Sequence, residues 1–284
     1  MARKETRGLD HIVTAAPPGD FDPLAAGVKD LLRYGLPQRP DPQASPGMAA
    51  LWERQARRYQ GFEHLQAELT RDALPALETA LQPFALTGTE HCGDELSSVG
   101  SPFTALFITW TVPNLRHTAS PHGANVFRTF VGLGFLDVHV EMSVDPTHNV
   151  TAAVTALGVN SVGLPVAPGD VLSASVCLDT KPPGRATYVL ANETRSQTVN
   201  FSFDSHFPPA VTVNAGISRG SAQNPLNPLA QFGVIYFDEI STYTTSGFRS
   251  LTDGQAVTMV DRNGKAIARP QRLTGFTFKV IHAG

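Results

Sequence analysis

Between Asp137 and Met142 the chain alternates polar and apolar residues without a break. A period of two predicts a β-strand with one buried and one accessible face. Successive side chains of a strand point to opposite faces, so Asp137, His139, Glu141 and Ser143 share one row. Val138, Val140, Met142 and Val144 share the other. Three ionisable groups in one strand row are uncommon. The pattern alone fits either a solvated face of an antiparallel sheet or the floor of a cleft.

Similar short segments rich in Val, Thr and Phe, divided by Gly, Pro and Asn, fill the chain beyond about residue 100. They predict strands at 103–112, 127–131, 138–144, 150–157, 171–178, 188–192, 198–202, 210–217, 233–237, 256–261, 265–269 and 275–282. Asn263-Gly264 between two of them is a type I′ hairpin signal. Many short strands with no helices between them indicate an all-β antiparallel sandwich.

The first part of the chain has the other period. A helix is predicted over 23–34, with Asp22 as N-cap and Pro23 at the first helical position. A longer helix is predicted from Ser45-Pro46 to about Leu69. Met48, Trp52, Ala56, Tyr59, Phe62, Leu65 and Leu69 recur there at steps of three and four. A third is predicted over 73–81. The expected organisation is a loose N-terminus over 1–20, a helical lead segment over 21–85, a turn-rich linker over 86–99 and a sandwich over 100–284.

Composition narrows the picture. The chain has 284 residues, 42 % hydrophobic and 17 % charged, with 24 Gly and 22 Pro. Low charge with many turn-formers suits β structure. A net charge of −3 gives no electrostatic footprint for nucleic acid. No segment approaches a membrane span and the charged N-terminus lacks the apolar run of a signal peptide, so a cytoplasmic location and no membrane partner are expected. Cys92 and Cys177 are the only cysteines, which excludes a disulfide scaffold and cysteine-rich metal sites; whether they pair is not readable. No Walker loop, dinucleotide Gly motif, Gly-x-Ser-x-Gly elbow or His-Glu-x-x-His is present. The histidines fall at no recognised ligand spacing, and His117 and His122 in one loop are a weak basis for a metal. No cofactor is expected.

Several strings, in order, resemble the glutamic peptidases (eqolisins, or G1 peptidases). Thr109-Trp110-Thr111-Val112-Pro113 resembles the family's Trp-x-Val-Pro, and Phe130-Val131-Gly132-Leu133-Gly134 its Trp-Val-Gly-Ile-Asp-Gly. Pro168-Gly169-Asp170-Val171-Leu172-Ser173-Ala174-Ser175-Val176 resembles Pro-Gly-Asp-x-Ile-x-Ala-x-Val. Gln231-Phe232-Gly233-Val234-Ile235-Tyr236-Phe237 is similar to Asp-Phe-Gly-x-Val-x-Phe, and Tyr34-Gly35-Leu36-Pro37 to the lead region of secreted members. The resemblance covers about residues 20–240. It implies a concanavalin-like sandwich of two curved sheets with a cleft on the concave face.

The family's chemistry uses a glutamate as general base and acid, with a glutamine amide that helps hold the oxyanion. The resemblance places Glu141 at the glutamine position, although a one-residue shift would place Met142 there. It places Asn214 at the glutamate position and Gly134 at the Asp of the Ile-Asp-Gly turn. The expected site groups are therefore Glu141, Asn214, His139 and Asp137, with Phe130, Thr155, Thr212 and Trp110 lining the ligand. Core strings survive and cleft strings are rewritten. The leading expectation is a repurposed cleft that binds or transforms a small organic or peptide-like ligand by acid–base chemistry. The alternatives are a glutamic-type hydrolase with carboxyl and amide exchanged between Glu141 and Asn214, and a non-catalytic binding module.

Overall fold

The computed structural model describes residues 9–69, 87–120, 123–157, 161–179, 184–205, 207–219 and 227–284. The first elements are β1 (Leu9–Val13), α1 (Val28–Arg33), α2 (Pro46–Tyr59), β2 (Glu63–Leu65), β3 (Thr87–Gly88) and β4 (His91–Ser97). There follow β5 (Phe103–Thr111), β6 (Leu115–Arg116), β7 (Asn125–Leu133), β8 (Leu136–Val144), β9 (Val150–Ala156), β10 (Val171–Asp179), β11 (Gly184–Asn192) and β12 (Gln197–Ser205). The last are β13 (Thr212–Ser218), β14 (Gln231–Phe232), β15 (Val234–Thr244), β16 (Gly247–Arg249), β17 (Gln255–Val260), β18 (Ala266–Thr274) and β19 (Thr277–His282).

Two antiparallel sheets result. The first runs β12–β11–β10–β5–β15–β19–β18–β17. The second runs β17–β4–β13–β7–β8–β9. Strand β17 belongs to both, pairing Met259 with Ala268 of β18 and Ala256 with Asp94 of β4.

Alternate residues of each strand enter one shared core. Leu106, Ile108 and Trp110 of β5 and Tyr188 and Leu190 of β11 meet Val131, Val138, Val140, Val213 and Ala215 from the second sheet. The Trp110 indole N–H donates to Thr129 Oγ1 at 2.9 Å, tying the sheets through a buried hydrogen bond. Cys92 lies in this core and Cys177 is half-buried on β10; both are free thiols, and burial pushes them up to about 12 and about 11.

The lead segment covers the outer face of the first sheet. Leu51 and Tyr59 of α2 pack on Phe107, Val189 and Ala191. Tyr59 shares a 2.8 Å hydrogen bond with Ser173, whose hydroxyl donates to Glu193 at 2.6 Å. Arg58 donates to Glu193 at 3.1 Å and to Glu239 at 2.5 Å. The chain also covers the open edge of β12, with β1 antiparallel at Leu9↔Ser205 and β2 parallel at Glu63↔Gln197. Gly35 allows this approach. It has φ +65°, and a Cβ there would stand 3.1 Å from backbone atoms of Phe201, Ser202 and Val13.

Four sequence expectations change. The longer helix stops at Tyr59 instead of Leu69, because Glu63–Leu65 joins β12 as a strand. Phe62, Leu65 and Leu69, which extended the helical period, instead meet the two cores from β2 and the turns beside it. The first helix starts at Val28, because Asp22 closes a separate turn: its carboxylate accepts the Leu24 N–H at 2.8 Å, and its carbonyl accepts from Ala25 and Ala26. Residues 91–97, expected as linker, form β4 inside the second sheet, and residues 9–13 of the expected loose terminus form β1. The helix expected over 73–81 lies outside the described residues.

Candidate functional site

The alternation read in the sequence is obeyed residue by residue in β8. Leu136, Val138, Val140, Met142 and Val144 are buried, while Asp137, His139, Glu141 and Ser143 are half-buried on the outer face of the second sheet. The register turns this strand into rows that cross the sheet. Directly opposed residues of antiparallel neighbours point to the same face.

The central row reads Glu95–Asn214–Gly132–Asp137 across β4, β13, β7 and β8. Asn214 is 2 % exposed and Glu95 7 %. Gly132 makes room for the amide, since a Cβ there would lie 2.6 Å from Asn214 Oδ1. The other end of that amide, Nδ2, is buried without a hydrogen-bond partner. Buried donors are nearly always paired, so an orphan of this kind needs a reason.

The next row reads Gly216–Phe130–His139–Thr155. His139 Nε2 lies 3.2 Å from Asp137 Oδ2, joining the two rows. Asp137 Oδ1 accepts the Leu157 N–H at 3.0 Å. Burial pushes the Asp137 carboxyl up. The His139 ring and the hydrogen bonds from His139 and Leu157 outweigh it and hold the group below its ordinary value. Asp137 is thus a carboxylate that orients the His139 ring.

The third row reads Ser218–Arg128–Glu141–Ala153. Glu141 Oε1 is 2.8 Å from Arg128 Nη2, and both side chains are partly exposed. An exposed cross-strand ion pair of this sort is a surface feature of small energetic weight.

The structure therefore brings together only part of the expected set. Asp137, His139, Asn214 and Phe130 share the centre of one face, with Thr155 beside His139. Glu141 and Asn214 do not meet. They are two strands and four residues apart in register, about 16 Å at ~4.8 Å per strand and ~3.3 Å per residue. The exchanged pair Glu141/Asn214 is corrected on that ground. Trp110 is also corrected: it is 2 % exposed and lies between the sheets, so it lines no cleft. Thr212 starts β13 on the outer face, and its carbonyl accepts the Gly134 N–H at 2.8 Å.

Glu95 is the residue that sequence reasoning missed. It stands in a stretch, His91-Cys92-Gly93-Asp94-Glu95-Leu96-Ser97, whose apolar alternation is interrupted by Asp94 on the inward side. Asp94 is tolerated there because Arg272 donates to its Oδ1 through Nε at 2.9 Å and Nη2 at 2.5 Å. The signal for Glu95 was the strand Cys92–Leu96, legible only once that ion pair is known.

Among the described residues no group of three or more His, Cys, Asp or Glu side chains is placed to hold a metal ion. His117 lies by His148, whose Nδ1 accepts the His117 N–H at 3.0 Å. His122 lies outside the described residues. Among those residues no helix is long and apolar enough to cross a membrane.

With this geometry in hand, the comparisons with known proteins are specific about the fold. The chain is similar to scytalido-glutamic peptidase solved with a transition state analog inhibitor, at 18 % identity and TM-score 0.52, covering 69 % of this chain and 98 % of that one. It is equally similar to SCP-B, a member of the eqolisin family solved with the tripeptide Ala-Ile-His, at 18 % identity, TM-score 0.52 and the same coverage. No curated protein matches the chain. The Peptidase A4 family model matches residues 89–277, about two-thirds of the length and most of the sandwich. On that match the chain belongs to the Peptidase A4 family, the glutamic peptidases, and has their β-sandwich.

Proposed function

We propose that the outer face of the second sheet is a cleft for a peptide-like or small organic ligand, handled by acid–base chemistry different from that of an ordinary glutamic peptidase. The observation that carries this reading is the Asn214 amide nitrogen, buried and unpartnered, in one row with the carboxylates of Glu95 and Asp137. A ligand carbonyl or carboxylate oxygen would accept from Nδ2. About 12 Å away in register, His139 would accept or return a proton through Nδ1 while Asp137 stabilises the imidazolium. An extended ligand of about three or four residues spans that distance at ~3.3 Å per residue, which favours a peptide-like molecule over a single small ring. The peptide in the similar SCP-B complex supports the same ligand class.

The test is binding of short blocked peptides, followed by titration calorimetry, in the full chain and in Asn214→Leu and His139→Leu. Loss of binding by about tenfold or more in both variants is expected. Peptide binding that neither variant alters sinks the reading.

A second reading is favoured by one observation, the direct pairing of Glu95 with Asn214. A carboxyl and an amide on adjacent strands form an acid and an oxyanion donor in reach of one scissile carbonyl. It predicts peptide hydrolysis in acid that Glu95→Gln abolishes. No hydrolysis between about pH 2 and pH 8, where carboxylate and histidine acid–base pairs operate, excludes it.

A further inference from the structure

A groove on the outer face of the first sheet, beside the lead segment, is open enough to admit a ligand. Its cavity volume is about 540 Å³, within the range of small-molecule sites. One wall is a stripe of α2, where Gly47, Ala50 and Arg54 recur at steps of three and four. Gly47 and Ala50 are small and exposed, so the space in front of the helix stays empty. Tyr243 of β15 seats its hydroxyl against this helix: a Cβ on Gly47 would stand 3.0 Å from Tyr243 Oη.

The other wall is aromatic. Phe248 of β16 and Phe276 of the β18–β19 turn are 43 % and 51 % exposed. Their ring centroids are 5.6 Å apart, and Phe248 meets Tyr243 edge-on at 5.7 Å. Rings from three separate elements thus form one continuous apolar wall. Exposed apolar side chains gathered in this way, rather than scattered singly, mark a contact surface. The charges of the groove are unequal. Glu239 is held by Arg58 at 2.5 Å. Arg54, exposed on α2, makes no hydrogen bond or ion pair among the described residues. Its charge reaches the Tyr243 hydroxyl, which burial nevertheless pushes above its ordinary range and so keeps protonated. An unpaired cation and a hydroxyl donor therefore stand beside a wall of rings, while the carboxylate of Glu239 is already paired.

We infer that this groove binds a small ring-bearing carboxylic acid of the arylalkanoate class. The carboxylate accepts from the Arg54 guanidinium and the Tyr243 hydroxyl, and the ring lies on Phe248 and Phe276. A neutral analogue gives up the charge-assisted hydrogen bond, and an acid without a ring gives up the apolar contact. The site uses no residue of the cleft on the second sheet, so it stands or falls independently of the function proposed there.

The full chain is titrated by calorimetry with 3-phenylpropionate, and with 3-phenylpropanamide, propionate and N-acetylphenylalanine for comparison. 3-Phenylpropionate is expected to bind saturably with a Kd of about 1 mM or tighter. The amide and propionate are expected to be at least about tenfold weaker. Arg54→Gln should bring the acid down to the level of the amide, and Ala50→Leu should fill the groove and abolish binding. Both positions are exposed on α2, so each variant should keep the melting temperature of the parent. No saturable binding of 3-phenylpropionate, an amide that binds as tightly, or unchanged binding in either variant overturns the proposal. Tighter binding of N-acetylphenylalanine than of 3-phenylpropionate overturns the small-molecule assignment in favour of a peptide carboxyl terminus.

Discussion

The two outer faces of this sandwich began from the same pattern and diverged. Both sheets send alternate residues into one core, and both leave the other alternate set outside. On the first sheet that outer set includes an apolar cluster of Phe107, Val189 and Ala191, and the lead segment seals it with Leu51 and Tyr59. On the second sheet the outer set carries Arg128, Asp137, His139 and Glu141, which are partly exposed, beside Glu95, Asn214 and Thr155, which are buried. Apolar outer residues call for cover because burying them is favourable by ~25 cal/mol per Å². Ionisable ones resist cover because each must keep water or a partner. The lead segment over residues 9–69 thus completes the fold on the outer face of the first sheet. In this structure it is part of the scaffold.

That contrast can be broken from either side. The largest effect is expected from deleting residues 1–69. Leu31, Leu51, Trp52 and Tyr59 are all buried, and losing ~1.5–3 kcal/mol for each approaches the whole ~5–15 kcal/mol stability of a domain. Size-exclusion chromatography should show aggregation, helped by the bared edge of β12; a monomeric, cooperatively unfolding product would contradict it. Next comes Trp52→Ala, expected to cost about 3–5 kcal/mol in urea unfolding. Gly35→Ala should cost at least about 1–2 kcal/mol, since it combines φ +65° with a Cβ pressed on backbone. A double change in the cleft, His139→Gln with Glu141→Gln, should stay within about 1 kcal/mol of the parent, because both sites are partly solvated. Equal losses from the cleft and from the lead segment would erase the distinction.

A separate expectation is a pH dependence. Burial holds His91 on β4 down to about 4 from an ordinary 6.5. Between those values the unfolded chain binds a proton that the folded chain does not. Stability should therefore fall as pH is lowered from about 6.5 to about 4, and His91→Phe should flatten that part of the curve. Melting temperatures at pH 7 and pH 4.5 measure it.

How much of this could be read from the chain depends on where each signal was local. Strand β8 was legible in full, because its alternation is unbroken and both faces obey it. So were Asp137 and His139 as neighbours on one face, since a separation of two residues fixes that in any strand. What lay beyond reach needed register. That Glu141 pairs with Arg128 and stands far from Asn214 follows from pairings across three strands, which no short window contains. Strand β4 was hidden by an inward aspartate whose partner, Arg272, is separated from it by 178 positions. The over-long helix failed for a related reason. Phe62, Leu65 and Leu69 keep a helical spacing, yet the free edge of β12 claims the backbone between them.

The pairing of β1 with β12 has a further consequence in time. His11 and Asp204, 2.8 Å apart, are separated by 193 positions. At ~5–20 residues per second of synthesis, the first strand waits about 10 to 40 s before its neighbour exists. During that interval the lead segment has helices to form and no sheet to lie on. The part of the molecule that is made first is among the last to find its place, and refolding of the whole chain should be slow for the same reason, since a closure that long must precede the contacts that reward it.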